Sequence, residues 1–169
     1  MKIYVASSWR NILQPGVVGV LRSHGHEVYD FRKPRHENTG FHWSEIDPDW
    51  KEWIPGTYLK GLSHPLAEKG YALDREAMEW ADTFVGVMPF GVSASLEMGW
   101  AAGQGKLTVL LITKCMEPEL MVKMFDHICC NTMELVGILH EHEMAKYDGK
   151  IFIAGKWIDD DPNDESNKE

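Results

Sequence analysis

The sequence predicts an α/β fold, a parallel sheet of about five strands packed between helices in three layers. Three observations carry that reading. Apolar runs of strand length recur at Lys2-Ile3-Tyr4-Val5-Ala6, Thr83-Phe84-Val85-Gly86-Val87-Met88 and Leu107-Thr108-Val109-Leu110-Leu111-Ile112. Longer stretches with helical spacing of apolar residues separate them. Turn residues, Pro89-Phe90-Gly91 and Gly103-Gln104-Gly105, mark the passages from strand to helix and from helix to strand.

Taken in order, the first strand leads through Ser7-Ser8-Trp9-Arg10-Asn11 into a helix near Ile12 to His24, which Gly25 stops. Ser7 and Ser8 either hydrogen-bond a ligand or cap that helix. His26 to Asp30 is a second strand, completing a βαβ-like opening. From Phe31 to Gly70 the periodicity disappears, and Phe41, Trp43, Trp50, Trp53 and Tyr58 alternate with prolines and glycines. The segment 31–70 reads as a Trp-rich lid or wall with a short helix around Pro48 to Trp53. Its aromatics, Trp43 and Trp53 among them, either stack on a flat base or form a satellite cluster or subunit contact. Ala67 to Ala81 is a helix with Leu73, Ala77 and Trp80 on its apolar face. Asp82 closes it, reading as a backbone cap and retained as a candidate substrate contact.

After the third long apolar run, Pro118 opens a helix through Phe125, and His127 to Cys130 is a short buried strand. A last helix runs from Asn131 to about Lys146. Its His140-Glu141-His142-Glu143 run reads as a solvated face, since residues two apart point to different sides of a helix. Ile151 to Ile158 is a small strand or hairpin arm carrying Trp157. The sum is a flavodoxin-like or Rossmann-like parallel sheet. Neither a G-x-G-x-x-G turn nor a Walker Gly-Lys-Ser/Thr loop is present, so hydride and phosphoryl transfer lack their usual supports.

Length and charge narrow the function classes. A chain of 169 residues holds one domain with a sizeable core, here residues 1–158. The formal net charge is −9, but five of those charges lie in Asp159 to Glu169, which reads as a disordered acidic tail. The body is mildly acidic, which argues against a nucleic-acid groove and for a small-molecule partner. No apolar stretch is long enough to cross a bilayer and no signal peptide is evident, so a cytoplasmic location is expected. The three cysteines, Cys115, Cys129 and Cys130, lack metal or disulfide spacing and read as core residues; no metal or cofactor is indicated.

The chain's chemistry is expected in the stretch from Gly91 to Lys106. Ligands of an open parallel sheet bind where strands turn into helices, and Glu97 falls at such a mouth, in the predicted helix's first turn. The helix N-terminus there would favour the ionised carboxylate, suited to a nucleophile or charge stabiliser. Gly91, Ser93, Ala94, Ser95 and Gly99 leave room for a ligand to approach the backbone.

These residues resemble the nucleoside 2-deoxyribosyltransferases and their relatives, the 2′-deoxynucleoside 5′-phosphate N-hydrolases. The resemblance rests on Ile3-Tyr4-Val5-Ala6, on Asp74 standing eight residues before Asp82, and on Ser95-Leu96-Glu97-Met98-Gly99-Trp100-Ala101 followed by Gly105-Lys106. It implies that Glu97 is the nucleophile that attacks C1′ of the sugar, that Asp74 assists departure of the base, and that Tyr4 is the tyrosine beside the nucleophile. It further implies a homo-oligomer, with the segment around Glu119 to Met121 reaching a neighbour's pocket. Gly91 departs from the pattern, because the transferases carry an acidic residue there and the hydrolases a serine. Ser93 and Ser95 are the candidates to take over sugar or phosphate contacts. The activity implied is cleavage or transfer of the N-glycosidic bond of a nucleoside or nucleoside 5′-monophosphate. Two alternatives stand beside it: a non-catalytic nucleotide-binding or sensing module on the same fold, and hydrolysis of a dinucleotide such as NAD.

Overall fold

A computed structural model describes residues 1–34, 40–114 and 118–146, and the backbone of 150–153 and 156–159. Five parallel strands, β1 (Lys2–Ala6), β2 (Glu27–Tyr29), β3 (Thr83–Val87), β4 (Leu107–Leu111) and β5 (His127–Cys129), form one sheet in the order β2-β1-β3-β4-β5. The helices are α1 (Gln14–Ser23), α2 (Pro55–Leu62), α3 (Pro65–Trp80), α4 (Val92–Gly103) and α5 (Thr132–Lys146). A separate antiparallel hairpin pairs β6 (Lys150–Ile153) with β7 (Lys156–Asp159). This strand order is the flavodoxin-like one, with its reversal between β1 and β3, the place where open α/β sheets form their ligand crevice beyond the carboxyl ends of the strands.

Alternation along the strands sorts the side chains into two cores. Ile3, Val5, Val85, Val87, Val109 and Leu111 face Val17, Val18 and Leu21 of α1 and Leu135 and Leu139 of α5. Tyr4, Ala6 and Phe84 face Ala77 and Met78 of α3 and Ala94, Met98 and Ala101 of α4. Coverage on both faces explains why every residue of β3 is buried. Small residues of α3 and α4, Ala77, Ala94 and Ala101, pack on this face in one cluster with the Tyr4 and Phe84 rings.

Polar pins close the end of the sheet away from the crevice. Asp82 accepts from Lys2 N at 3.3 Å and from the Thr83 hydroxyl at 2.7 Å. Lys106 Nζ donates to the carbonyls of Met78, Glu79 and Ala81, capping the last turn of α3. Asp126 accepts from both Thr108 N and Thr108 Oγ1 at 2.8 Å.

The structure corrects several expected boundaries. The segment expected to be irregular from Phe31 to Gly70 contains α2 and the first turn of α3, each opened by a proline, besides 3₁₀ turns at Trp43–Glu45 and Trp50–Glu52. The helix expected from Pro118 to Phe125 is a 3₁₀ turn over Leu120–Met124, because the backbone is already extended at Glu119 and Phe125. Cys129 is buried, but Cys130 points the other way at the end of an edge strand and is exposed. Of the His-Glu-His-Glu run, His140 and Glu141 are exposed as expected, whereas His142 and Glu143 turn inward to partners. His142 Nε2 meets His127 Nε2 at 2.7 Å, while Glu143 pairs with the amino terminus at 3.0 Å and faces His26 at 3.5 Å. Neighbouring helical positions are 100° apart, so the two residues reach different strands. Cys115 and the tail beyond Asp159 lie outside the described residues, and Asp159 itself ends β7.

The stretch after β2 is fastened by Arg32, whose Nη2 donates to the carbonyls of Ser8, Trp9 and Asn11. Gly40 has φ +79°, and a Cβ there would stand 2.4 Å from the Phe31 carbonyl oxygen and 2.7 Å from the Trp9 ring. Gly40→Ala is expected to cost about 1–3 kcal/mol through the left-handed backbone and this clash. A lowered thermal midpoint, with faster proteolysis confined to the stretch before α2, would register it; an unchanged melting curve would contradict the packing described.

Candidate active site

The site is built on sheet register. Tyr4 of β1 lies opposite Tyr29 of β2 and Phe84 of β3, so the three rings project on one face. They stack in a row, Tyr29 on Tyr4 at 5.2 Å between ring centroids and Tyr4 on Phe84 at 5.0 Å. Tyr4 is wholly buried, and burial together with the neighbouring carboxylates holds its phenol well above the usual range. Trp100 of α4 tilts over Phe84 at 6.0 Å, with the Arg75 guanidinium 4.6 Å from its ring.

Two helices bring carboxylates to this row. Asp74 of α3 accepts the Tyr29 hydroxyl on Oδ1 at 2.8 Å. Glu97 of α4 interacts with the Tyr4 phenol, which favours its ionised form, and stands close enough to Asp74 to feel its charge. Burial raises the Asp74 carboxyl above its ordinary value, and the Tyr29 bond opposes that rise. Burial and then the charge of Asp74 push Glu97 up to about 7, against the phenol of Tyr4. Here the structure overturns an expectation. Glu97 falls in the second turn of α4, beyond the reach of the helix terminus, and desolvation outweighs any benefit from the dipole. The pair therefore titrates as a unit, retaining a proton into the neutral range.

The other expected residues divide. Ser7, Ser8 and Trp9 follow β1 at the crevice, but the Ser7 hydroxyl is spent on the Val87 carbonyl at 2.8 Å and accepts from Asn11 Nδ2 at 3.1 Å. That bridge ties the ends of β1 and β3. Ser8 Oγ accepts from Arg10 N, while the exposed Trp9 packs on Phe31 and His42. Gly91 is the residue before α4 and open to solvent; Ser93 is exposed, and Ser95 Oγ donates to the Gly91 carbonyl at 3.1 Å. Asp82 is removed from the candidate contacts, because it serves the amino ends of β1 and β3, opposite the crevice. Trp43 and Trp53 meet each other at 5.5 Å and, with Trp50, Ile54, Pro55 and Tyr58, line a separate pocket of about 370 Å³. None of the ring contacts of Trp43 or Trp53 joins them to Tyr4 or Tyr29 among the described residues.

Two residues were not legible as site components. Tyr29 reads as an ordinary strand aromatic until pairing sets it beside Tyr4. Arg32, which ties down the loop of Ser8 and Trp9, gives no local signal because its partners are backbone carbonyls. A cavity of about 380 Å³ beside the site runs along the edge strand, walled by Tyr29, Asp30, Leu73, Ala77 and Trp80. Among the described residues no three His, Cys, Asp or Glu side chains are grouped as metal ligands, and no helix is long and apolar enough to cross a membrane.

Comparison with solved structures places this architecture among known folds. A 2-deoxyribosyltransferase from the psychrotolerant bacterium Bacillus psychrosaccharolyticus superimposes with a TM-score of 0.58, at 21% identity over 80% of this chain and 90% of that one. The chain therefore has the nucleoside 2-deoxyribosyltransferase-like fold. A CMP N-glycosidase from Clostridium botulinum aligns with a TM-score of 0.47, at 16% identity over 83% of this chain and 99% of that one. No protein-family model and no curated protein sequence matches the chain.

The raised carboxyl has a consequence for stability. Glu97 ionises near its ordinary 4.5 in the unfolded chain but only at about 7 when folded. Between those values the unfolded state loses its proton first, so stability falls as pH rises and the loss is complete above 7. Glu97→Gln removes this penalty. The variant is expected to melt about 3–8 °C above wild type at pH 8, with most of the gain absent at pH 5. Equal gains at both values would show that Glu97 is not a desolvated acid.

Proposed function

We propose that the protein cleaves or transfers the N-glycosidic bond of a nucleoside or nucleoside 5′-monophosphate through a glycosyl intermediate on Glu97. The observation that carries this reading is the juxtaposition of Glu97 and Asp74 over the Tyr29-Tyr4-Phe84 row at the strand-order reversal. Two interacting carboxyl groups with raised values, each with a phenol as partner, are what a reaction needing one acid and one base requires. The fold shared with a 2-deoxyribosyltransferase supports the same chemistry.

In the proposed reaction each group has one task. A Glu97 carboxylate oxygen attacks C1′ as the bond from C1′ to the base nitrogen breaks, and the bond's electron pair goes to the base. The one proton the pair retains, which the charge of Asp74 favours on Glu97 in the free protein, shifts to Asp74 when substrate binds and is given from there to that nitrogen. Water or a second base then attacks C1′, surrenders a proton to Asp74, and frees Glu97, so the sugar keeps its configuration. The Tyr4 phenol stabilises Glu97 as a carboxylate before attack and as it leaves. Val92 and Leu96 are exposed on the same helix as Glu97, and Leu120 and Met121 are exposed after β4. These apolar side chains are the surface on which we place the second copy of a homo-oligomer.

Chromatography of reactions with nucleosides, deoxynucleosides and their 5′-monophosphates, with and without an acceptor base, tests the proposal. Wild type is expected to release free base, and Glu97→Gln to lose at least about 10³-fold in turnover, as for removal of a covalent nucleophile. Asp74→Asn is expected to lose about 10²–10⁴-fold, as for a general acid. Base release by Glu97→Gln at the wild-type rate would sink the mechanism.

A further inference from the structure

A carboxylic acid can carry its proton on either oxygen, and only one position faces a departing base. At Asp74 the choice is constrained, because Oδ1 already accepts the Tyr29 hydroxyl at 2.8 Å. We propose that Tyr29 is a positioning residue that occupies Oδ1 of Asp74, so that the proton delivered to the leaving base is held on Oδ2. The inference rests on the role given to Asp74 above.

Several observations fix Tyr29 as a donor in one orientation. Its backbone is paired with Tyr4 in the sheet, and its ring stacks on the Tyr4 ring at 5.2 Å with the planes 19° apart. Burial and the carboxylates of Asp74 and Glu97 raise its phenol far above the neutral range, so it retains its hydrogen. The adjacent carboxylate, Asp30, does not compete for it: Asp30 Oδ1 accepts from Gln14 Nε2 at 2.8 Å and from Arg32 N at 3.1 Å. Arg75, next to Asp74 in α3, is turned to Glu79 at 2.8 Å and to Trp100. Lys33 and Glu76 line the edge-strand cavity that Tyr29 also walls, and Asp74 is not among its lining residues. Asp74 therefore gives Oδ1 to Tyr29 and lies within the electrostatic reach of Glu97 and Tyr4.

This arrangement acts when charge appears. As the bond from C1′ to nitrogen breaks, its electron pair passes to the base nitrogen and the Oδ2 proton follows. Asp74 is left as a carboxylate with Oδ1 still bonded to the Tyr29 hydroxyl. A hydrogen bond to an ionised acceptor is stronger than one to a neutral acid, so the contact gains strength along the reaction coordinate. Removing the hydroxyl should leave substrate binding nearly intact and slow the proton-dependent step.

Tyr29→Phe keeps the ring and its stacking while deleting the donor. Its kcat is expected to fall about tenfold, with KM within about twofold of wild type. The second readout needs no turnover: the Asp74 carboxyl carbon, labelled with ¹³C and assigned by its absence in Asp74→Asn, is followed by NMR across pH. Loss of the phenol is expected to move its titration midpoint up by about one pH unit. An unmoved midpoint overturns the proposal, even if kcat falls, because a merely structural loss would lower stability and leave Asp74's titration alone. A moved midpoint with wild-type kcat overturns it as well. Failure of wild type to release base from any substrate would instead remove the reaction itself, a result distinct from either.

Discussion

Desolvation of two neighbouring carboxyl groups is the constraint to which the rest of the crevice answers. Each would be ionised in water at neutral pH, and neither is comfortable so when half-buried beside the other. No cation is paired with Asp74 or Glu97 among the described residues. Lys106 is spent on carbonyls at the end of α3, Arg32 on carbonyls of the loop after β1, and Arg75 on Glu79 and Trp100. Phenols take the place of counter-ions. A hydroxyl donor supports a carboxylate without cancelling its charge, so the pair stays poised between protonation states instead of being locked as two anions.

The sheet makes that arrangement possible. Parallel register puts Tyr29, Tyr4 and Phe84 in adjacent strands on one face, and the same face receives α3 and α4 through alanines and methionines. Stacked rings form a rigid floor, since each is held by a backbone ladder and by its neighbour. Trp100 lies between Arg75 and Lys106, at 4.6 and 5.5 Å, and clamps α4 against α3 away from the crevice. The opposite face is filled mainly by valine, leucine and isoleucine against α1 and α5.

The Trp-bearing segment has a different logic from a simple cover. Phe41 packs where Gly70 of α3 leaves space, Trp53 packs where Gly61 of α2 does, and Trp9 closes on Gly40. Bulky rings set against missing side chains fasten the segment to the helices beneath it. Its aromatics form their own pocket, whose lining does not include Asp74 or Glu97. Of the two readings open for Trp43 and Trp53, base stacking or a satellite cluster, their contacts with one another and with Tyr58 favour the cluster.

How much could be read without coordinates depended on the range of the interaction. Strand runs, helix-stopping glycines and prolines at first turns are local signals, and they located the five strands and most helices within a few residues. Asp74, Glu97 and Tyr4 were legible through their motif. The charge state of Glu97 was not, because helix position is local whereas the burying of a carboxyl depends on what packs around it. Asp82 reads as a backbone cap and is one, accepting from Lys2 N; only its second reading, as a substrate contact, fails, because it serves the strand ends opposite the ligand side. Tyr29 and Arg32 gave no signal, as their partners are 45 and 21 to 24 residues away in the chain.

The sequence by itself determined the α/β class, the parallel sheet and the two acidic residues on which the chemistry is proposed, because periodicity and turn chemistry act within a few residues. Only the tertiary structure decided that the carboxylates share one field, that phenols rather than cations attend them, and that Asp82, Trp43 and Trp53 belong elsewhere. Electrostatic environment and hydrogen-bond pairing are properties of distance in space, and chain order does not encode them one residue at a time.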